Sequence, residues 1–583
     1  MFKNYFNKTL IMRLFIFITL LVFSIQELWS QKISHFELIG RISDRDATLQ
    51  MEFSDSAEVR LVWDTTSGKF FQQSNWVSFF PNIPNQIYFN NLQPNTHYYY
   101  RVEYKKPGSS IINNRPEYQF QTARPAGSAF TFVVQADPHM DEQSDSAVYL
   151  RCLKNQLEDN PDFMIDLGDI LMSDKLRNSN KQIPRDTVTY RSHLMRSYYE
   201  SIGHSVPLYI AIGNHEGESG WYLTPNGNNV AVWGTLDRKK YFLNPSPNHF
   251  FSGDTSHQPF VGQRESYFSW TWGDALFVIL DPYWNTKVKP DSLNGWRWTL
   301  GKQQYDWLKS TLENSTSKYK FIFCHHLIGG DKDGRGGIEI ADKYEWGGNN
   351  LNGSYGFDTQ RPGWYKPIKE LLKDNRATIF FHGHDHFFGK QDRECMVYQE
   401  VPQPSHQNFT SVAYAENYGY FQGQILPNSG HLRVSVAPEG VKVEYVRVYL
   451  PKSENATRKN KDVSATYFIG AINCYDSLPG AGISPVVWNA NYLENLVYPN
   501  PSSQEVNLEF NVPEAGLISV NIFDLQGKSI KTLLQKCSMA TGKYIIHWDG
   551  KNQTGNYVVP GEYLYSIDLN QEKLHSGKLQ ILN

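Results

Sequence analysis

The chain has 583 residues, with 59 acidic and 56 basic side chains and a net charge of −3, so bulk charge gives it no pull toward nucleic acid. It is too long for one hydrophobic core and points to three or four domains of about 100–200 residues. A hydrophobic content of 40% with 35 tyrosines and 15 tryptophans excludes a disordered chain, and five scattered cysteines, at 152, 324, 395, 474 and 537, exclude a disulfide framework as the source of stability. Residues 1–30 place Lys3, Lys8 and Arg13 ahead of an apolar run over 14–23 and a polar stretch ending at Ser30. This predicts a secretory signal peptide, and no later stretch reaches the roughly 20 apolar residues of a membrane span. The mature chain is therefore expected outside the cytoplasm with no transmembrane span.

Residues 31–124 predict an all-β domain. Ala47, Leu49, Met51 and Phe53 alternate with polar residues, and Val59, Leu61 and Trp63 repeat the period of two. Pro94 and Asn95 set a turn after Leu92, and Tyr98 starts a strand whose ring can pack back over it. The stretch from Asn91 to Tyr100 resembles the Leu-x-Pro-x-Thr-x-Tyr turn of fibronectin type III domains. Residues 125–128 read as a linker.

From 129 to 450, strands alternate with helices. The periodicity predicts helices over 146–159, with Leu150, Leu153 and Leu157 on one face, and over 303–314, with Tyr305, Leu308 and Leu312. Added antiparallel strands are predicted over 266–272, 431–437 and 441–449. Two insertions, 217–265 and 329–363, read as irregular, and the second is expected to shape a substrate rim.

Five apolar runs in this region end in metal-binding chemistry. Phe130 to Val134 leads to Asp137 and His139, Phe163 to Ile165 leads to Asp169, and Tyr209 to Ile212 leads to Asn214, His215 and Glu216. Phe321 to Cys324 leads to His325 and His326, and Ala377 to Phe381 leads to His382, His384, Asp385 and His386. In open α/β sheets the ligand crevice lies at the carboxyl ends of the strands, where all five motifs fall.

At these residues the chain resembles the calcineurin-like metallophosphoesterases, whose ordered pattern is Asp-x-His, Gly-Asp, Gly-Asn-His-Glu or Asp, a lone His, then Gly-His-x-His. The resemblance implies a central four-layer αββα domain and two metal ions. It assigns Asp137, His139, Asp169 and His386 to one and Asp169, Asn214, His325 and His384 to the other, with Asp169 as the bridge. His215 would lie outside the coordination shell and face the leaving group as general acid. Of the pair His325 and His326 the resemblance favours His325, and with period-two alternation the two cannot both point at one site if the strand continues. Glu216, Asp385 and His382 are expected to support the site, and Cys324 to face away from it. Purple acid phosphatases carry a similar sandwich ahead of the catalytic domain, but they have a metal-binding tyrosine three residues after the bridging aspartate. Met172 stands there, so a tyrosinate-iron site is not expected.

Residues 451–491 read as a linker or carry no assignable pattern. In 492–583, Val506, Leu508, Phe510 and Val512 alternate, as do Ile518, Val520 and Ile522, which predicts a second small β-sandwich. Tyr498-Pro499-Asn500-Pro501, Trp548-Asp549-Gly550 and Gly561-Glu562-Tyr563 make it similar to the type IX secretion C-terminal sorting domain. That implies the type IX machinery as a partner and a place at the cell surface or in the medium.

Phosphate ester hydrolysis needs an oxygen nucleophile, neutralised phosphoryl charge and a stabilised leaving group, and two close cations supply the first two. Carboxylate, imidazole and amide ligands without a cysteine pair suit Fe, Mn or Zn. The expectation is a secreted binuclear phosphoesterase that cleaves small phosphate monoesters or nucleotides by attack of a metal-bridged hydroxide. Two alternatives stand beside it. One is a phosphodiesterase acting on cyclic nucleotides, glycerophosphodiesters or nucleic acid, and the other is a surface binding protein with an inactive core.

Overall fold

A computed structural model describes residues 35–291, 294–330, 332–470, 483–485, 496–498, 500–502, 505–513, 516–539, 542–570 and 572–582. The predicted signal peptide lies outside them. The first sandwich faces the antiparallel strands His35–Gly40, Ala47–Glu52 and Asn85–Phe89 against a sheet centred on Ala57–Asp64 and His97–Lys105. Alternation along these strands sends Leu49, Met51, Val59, Leu61, Trp63, Tyr100 and Val102 into one core. Tyr98 folds back as its sequence predicts, and its hydroxyl accepts the Gln93 N–H at 2.9 Å.

The central domain is two sheets face to face. One runs in spatial order Leu208–Ile210, Phe163–Asp166, Phe130–Gln135, Gly430–Ala437, Gly440–Arg447, Val463–Gly470, and its first three strands are parallel. The other has eight strands, with Ala275–Ile279, Tyr319–Phe323 and Ile379–His382 parallel at its centre. Period-two alternation sorts the side chains into layers. Phe132, Phe163, Phe277, Phe321, Phe323 and Phe381 fill the space between the sheets, with Phe323 stacked on Phe381 at 4.8 Å and Phe132 edge-on to Phe277 at 5.1 Å. Their neighbours Val133 and Met164 face the helices Ser146–Glu158 and Arg185–Gly203, while Val278, Ile322, Cys324 and Phe380 face Lys302–Asn314 and Ile368–Asp374. The result is the predicted αββα sandwich.

Four elements differ from the sequence reading. Val463–Gly470 pairs antiparallel with Gly440–Arg447, so a strand of the central sheet lies inside the stretch in which the sequence shows no assignable pattern. As an edge strand it is half-exposed, and its apolar alternation is correspondingly weak. The insertion 217–265 is not wholly irregular, because Val230–Tyr241 is a helix. Its stripe is masked by buried polar groups, among them Asp237 and Arg238, the latter paired with the buried Glu218 at 2.6 Å. Short helices Tyr344–Gly347 and Phe357–Gln360 punctuate the second insertion.

The last sandwich joins the sheet Ile483–Pro485, Gly542–Trp548, Val506–Val512, Leu496–Tyr498 to Ser529–Met539, Gly516–Phe523, Gly561–Leu569, Glu572–Ile581. Val506, Leu508, Phe510 and Val512 point into its core with Ile518, Val520 and Ile522. Among the described residues Cys152 and Cys324 are free thiols, and no helix is long and apolar enough to cross a membrane.

The first sandwich docks on the helix Arg185–Gly203. The Tyr100 hydroxyl donates to the His204 carbonyl at 2.6 Å, Tyr118 stacks on the His204 ring at 4.1 Å, and Leu38 occupies the space a side chain at Gly203 would need. Glu37 is buried beside this contact, 3.0 Å from Arg115. Burial pushes its carboxyl from 4.5 up to about 7, helped by nearby Glu200 and opposed by Arg115. A raised folded pKa means the folded state holds the proton between those values, so the stability it contributes is present below pH 4.5 and lost as pH rises through 7. Glu37→Gln should therefore flatten the loss of thermal stability between pH 5 and 8, by up to about 3 kcal/mol if this group acts alone. Parallel stability–pH curves for the two proteins would show that Glu37 does not carry that proton.

Candidate metal centre

Each predicted site residue sits where a buried strand stops and the backbone turns. Phe130–Gln135 delivers Asp137 and His139, Phe163–Asp166 delivers Asp169, and Leu208–Ile210 delivers Asn214 and His215. Tyr319–Phe323 delivers His325, and Ile379–His382 delivers His384 and His386. Asp137, His139, Asp169, His384 and His386 all adopt positive φ, from 53° to 79°. Such backbone costs about 1–3 kcal/mol per non-glycine residue and persists where the surroundings over-determine it. Two glycines let the loops cross. A Cβ on Gly168, φ 102°, would collide with the Gly213 backbone, and one on Gly383 would lie 2.6 Å from Asp137 Oδ2.

The side chains converge in two clusters, Asp137 with His139 and His386, and Asp169 with His325 and His384. Asp137 Oδ1 lies 3.6 Å from His139 Nε2 and 3.5 Å from His386 Nε2. Asp169 Oδ2 lies 3.5 Å from His139 Nε2 and 3.3 Å from His325 Nε2, so one oxygen faces both clusters. His325 Nε2 is in turn 3.2 Å from His384 Nδ1 and 2.9 Å from Asn214 Oδ1.

Hydrogen bonding fixes what these atoms can do. A backbone carbonyl only accepts, so His325 donates Nδ1–H to Leu167 O at 2.9 Å and His384 donates Nε2–H to Asp333 O at 3.1 Å. Two imidazole lone pairs then face each other beside a carboxylate. Asp137 Oδ1 and His139 Nε2 are buried with no hydrogen-bond partner. Acceptors gathered this way repel unless a cation lies among them, and ligand atoms bound at about 2.0–2.2 Å to one ion are roughly 3.0–3.5 Å apart. The donor set fits metal ions. Charge agrees with geometry: burial would raise Asp137 and Asp169, yet His325 with His386, and His325 with His215, hold both carboxyls well below their usual range. Burial would lower His325, yet Asp169 and Asp137 raise it to about 9, so without a metal ion a proton on Nε2 takes the place of the cation that its lone pair would otherwise face.

Other predicted residues lie behind the clusters. Glu216 is buried and accepts the N–H groups of Asp169, Ile170 and Leu171 at 3.1, 2.7 and 3.2 Å, which ties down the turn carrying Asp169. Burial and the Asp169 charge push its carboxyl up to about 7. His382 Nδ1 lies 2.8 Å from Glu400 Oε2, while Glu400 Oε1 accepts the Asp385 N–H at 3.0 Å. His326 joins neither cluster; its ring packs on Trp298 at 4.4 Å, Tyr283 at 5.3 Å and His384 at 5.6 Å. His215 is partly exposed. Its backbone N–H donates to Asp169 Oδ1 at 2.7 Å, and its Nε2 lies 3.9 Å from Asp169 Oδ2.

Two residues near the site escape the sequence motifs. Asp174 Oδ1 lies 2.7 Å from His215 Nδ1, and nothing in the loop that carries it announces the contact. Arg191, buried on the helix Arg185–Gly203, donates to Leu171 O at 2.7 Å, to Met140 O at 2.9 Å and to His139 O, pinning two site turns together. An arginine within the stripe Val188, Met195, Tyr199 and Ile202 is a legible signal of such a role.

Residues 130–388 match the calcineurin-like phosphoesterase family, and residues 496–560 match the secretion system C-terminal sorting domain. Among solved structures the chain is similar to PhoD, with 15% identity and a TM-score of 0.54 over 76% of this chain and 92% of that one. It is also similar to the purple acid phosphatase PPD1 from yellow lupin (Lupinus luteus) seeds, with 14% identity and a TM-score of 0.51 over 76% of each. At these identities the likeness shows the fold alone. No curated protein matches the chain. A calcineurin-like phosphoesterase domain over 130–388 that spans all five strand-end motifs, on an αββα fold with metal-fitting clusters, makes this chain a metal-dependent phosphoesterase that also carries a type IX C-terminal sorting domain.

Proposed function

We propose that the protein hydrolyses small phosphate monoesters or nucleotides outside the cell, at a centre of two metal ions chosen from Fe, Mn and Zn. The observation that carries this reading is the pair of acceptor clusters that share Asp169 Oδ2. Asp137, His139, Asp169 and His386 would hold one ion, and Asp169, Asn214, His325 and His384 would hold the other. Bound there, two cations would neutralise charge on the phosphoryl oxygens and lower the pKa of a water to make a nucleophile. The chain supplies the rest. Strained turns fix the ligands before substrate arrives, Glu216 and Arg191 hold those turns, and Asp174 accepts the His215 Nδ1 proton. That bond leaves His215 Nε2 directed at the shared carboxylate and free to carry a proton to the departing oxygen. An amino-terminal signal over 1–30 would deliver the chain to the periplasm, and the sorting domain would then take it across the outer membrane.

Metal content of the purified protein, together with turnover of a chromogenic monoester and a chromogenic diester, tests this reading. About two ions per chain and a preference for the monoester are expected. A preference for the diester replaces it with a phosphodiesterase, and a metal-free, inert protein replaces it with a binding role.

A further inference from the structure

The glycine-rich start of the second insertion reaches the candidate metal-binding turn. Asp333 has φ 67° and directs its carbonyl at His384 Nε2, and Gly334, φ 102°, lies over the ring of His326, where a Cβ would come within 3.1 Å. One residue on, Arg335 Nη1 donates to His384 O at 2.9 Å and to Asp385 Oδ1 at 2.7 Å, while its guanidinium lies 4.1 Å over the Tyr418 ring. The Gly336 N–H donates to the other Asp385 oxygen at 3.1 Å, which also accepts the Tyr420 hydroxyl at 2.7 Å. Four hydrogen bonds, from Asp333, Arg335 and Gly336, thus converge on the turn 384–386, whose two histidines belong to different clusters.

We infer that residues 333–336 form a strap that positions the metal-binding turn, with Arg335 as its principal positioning residue. The physical case rests on two constraints. A histidine has two nitrogens, and only the one not bonded to Asp333 O can present a lone pair to His325 and Asp169, so the strap selects the tautomer that faces the site. The turn itself holds His384 and His386 at positive φ, and an unbraced turn would relax from that geometry. Arg335 Nη1 ties carbonyl and carboxylate of consecutive residues while its planar guanidinium stacks on Tyr418, and a lysine, with a compact ammonium and no such plane, would not reproduce the stacked half of that grip.

This inference rests on the metal reading above, and its test separates the two. Wild type, Arg335→Ala, Arg335→Lys and Tyr418→Leu would be stripped of metal and titrated with Mn²⁺ or Zn²⁺ against a competing chelator, with melting of the apo-proteins and KM at saturating metal measured alongside. Arg335→Ala is expected to bind metal about 10–100-fold more weakly, as for other groups that orient ligands, with an apo melting curve near wild type and an unchanged KM. Arg335→Lys should recover only part of the loss, and Tyr418→Leu, at a half-exposed position, should show a smaller loss of the same kind. If wild type binds no metal, the metal reading fails. If wild type binds and Arg335→Ala binds equally well, or only KM rises, the strap is wrong. Should Arg335→Ala not fold, wild-type affinity in both Arg335→Lys and Tyr418→Leu overturns it.

Discussion

Asp169→Asn should reduce turnover more than any other single ligand replacement at the centre. One oxygen of this carboxylate lies 3.5 Å from His139 Nε2 in one cluster and 3.3 Å from His325 Nε2 in the other, so the substitution removes a full negative charge from both at once. Loss of a single transition-state donor typically costs about 10²–10³ in rate, and loss of a shared ligand should exceed that. Asn214→Ala is the fitting comparison, because Asn214 contributes one neutral oxygen to one cluster, 2.9 Å from His325 Nε2. Asp169→Asn also keeps an oxygen to accept the His215 N–H, so the turn need not collapse. The measurement is metal content beside turnover on one monoester. Normal metal content and normal turnover in Asp169→Asn would end the binuclear assignment.

Much of this centre is legible in the sequence, because its ligands are carried by strands whose signal is strong. Phe130–Gln135 and Ile379–His382 are buried on both faces, so each appears in the sequence as an unbroken apolar run that stops at a charged or imidazole group. Alternation says only that His325 and His326 cannot both face one site, the family resemblance chooses His325, and the placement of His325 beside Asp169 and His384 agrees with that choice. The residues that stay hidden act at long sequence range from irregular segments. Arg335 reaches Asp385 across fifty positions and Asp174 reaches His215 across forty-one, and neither segment has a periodicity to carry a signal. The helix Val230–Tyr241 is hidden for a different reason: it buries polar side chains as well as apolar ones, so no clean stripe marks it. The strand Val463–Gly470 is lost at an exposed sheet edge, where pairing rather than burial defines the element.

His215→Ala should separate two classes of substrate. Its Nδ1 is held 2.7 Å from Asp174 Oδ1 and its backbone nitrogen by Asp169 Oδ1, so Nε2 has a fixed direction, yet it faces the shared carboxylate from 3.9 Å rather than joining either cluster. A group so placed can hand a proton to the leaving oxygen as the P–O bond breaks. An alkoxide, a strong base, needs that proton, whereas a nitrophenolate leaves readily without it. General acid catalysis contributes about 10²–10⁴ in rate. The variant should therefore keep its metals, lose roughly that factor on alkyl phosphates, and lose much less on nitrophenyl phosphate. Asp174→Asn should move the same ratio in the same direction by a smaller amount, because it frees the ring to turn without removing it. Equal losses of His215→Ala on both esters would make His215 a group that binds the phosphoryl oxygens, and loss of metal would make it a ligand.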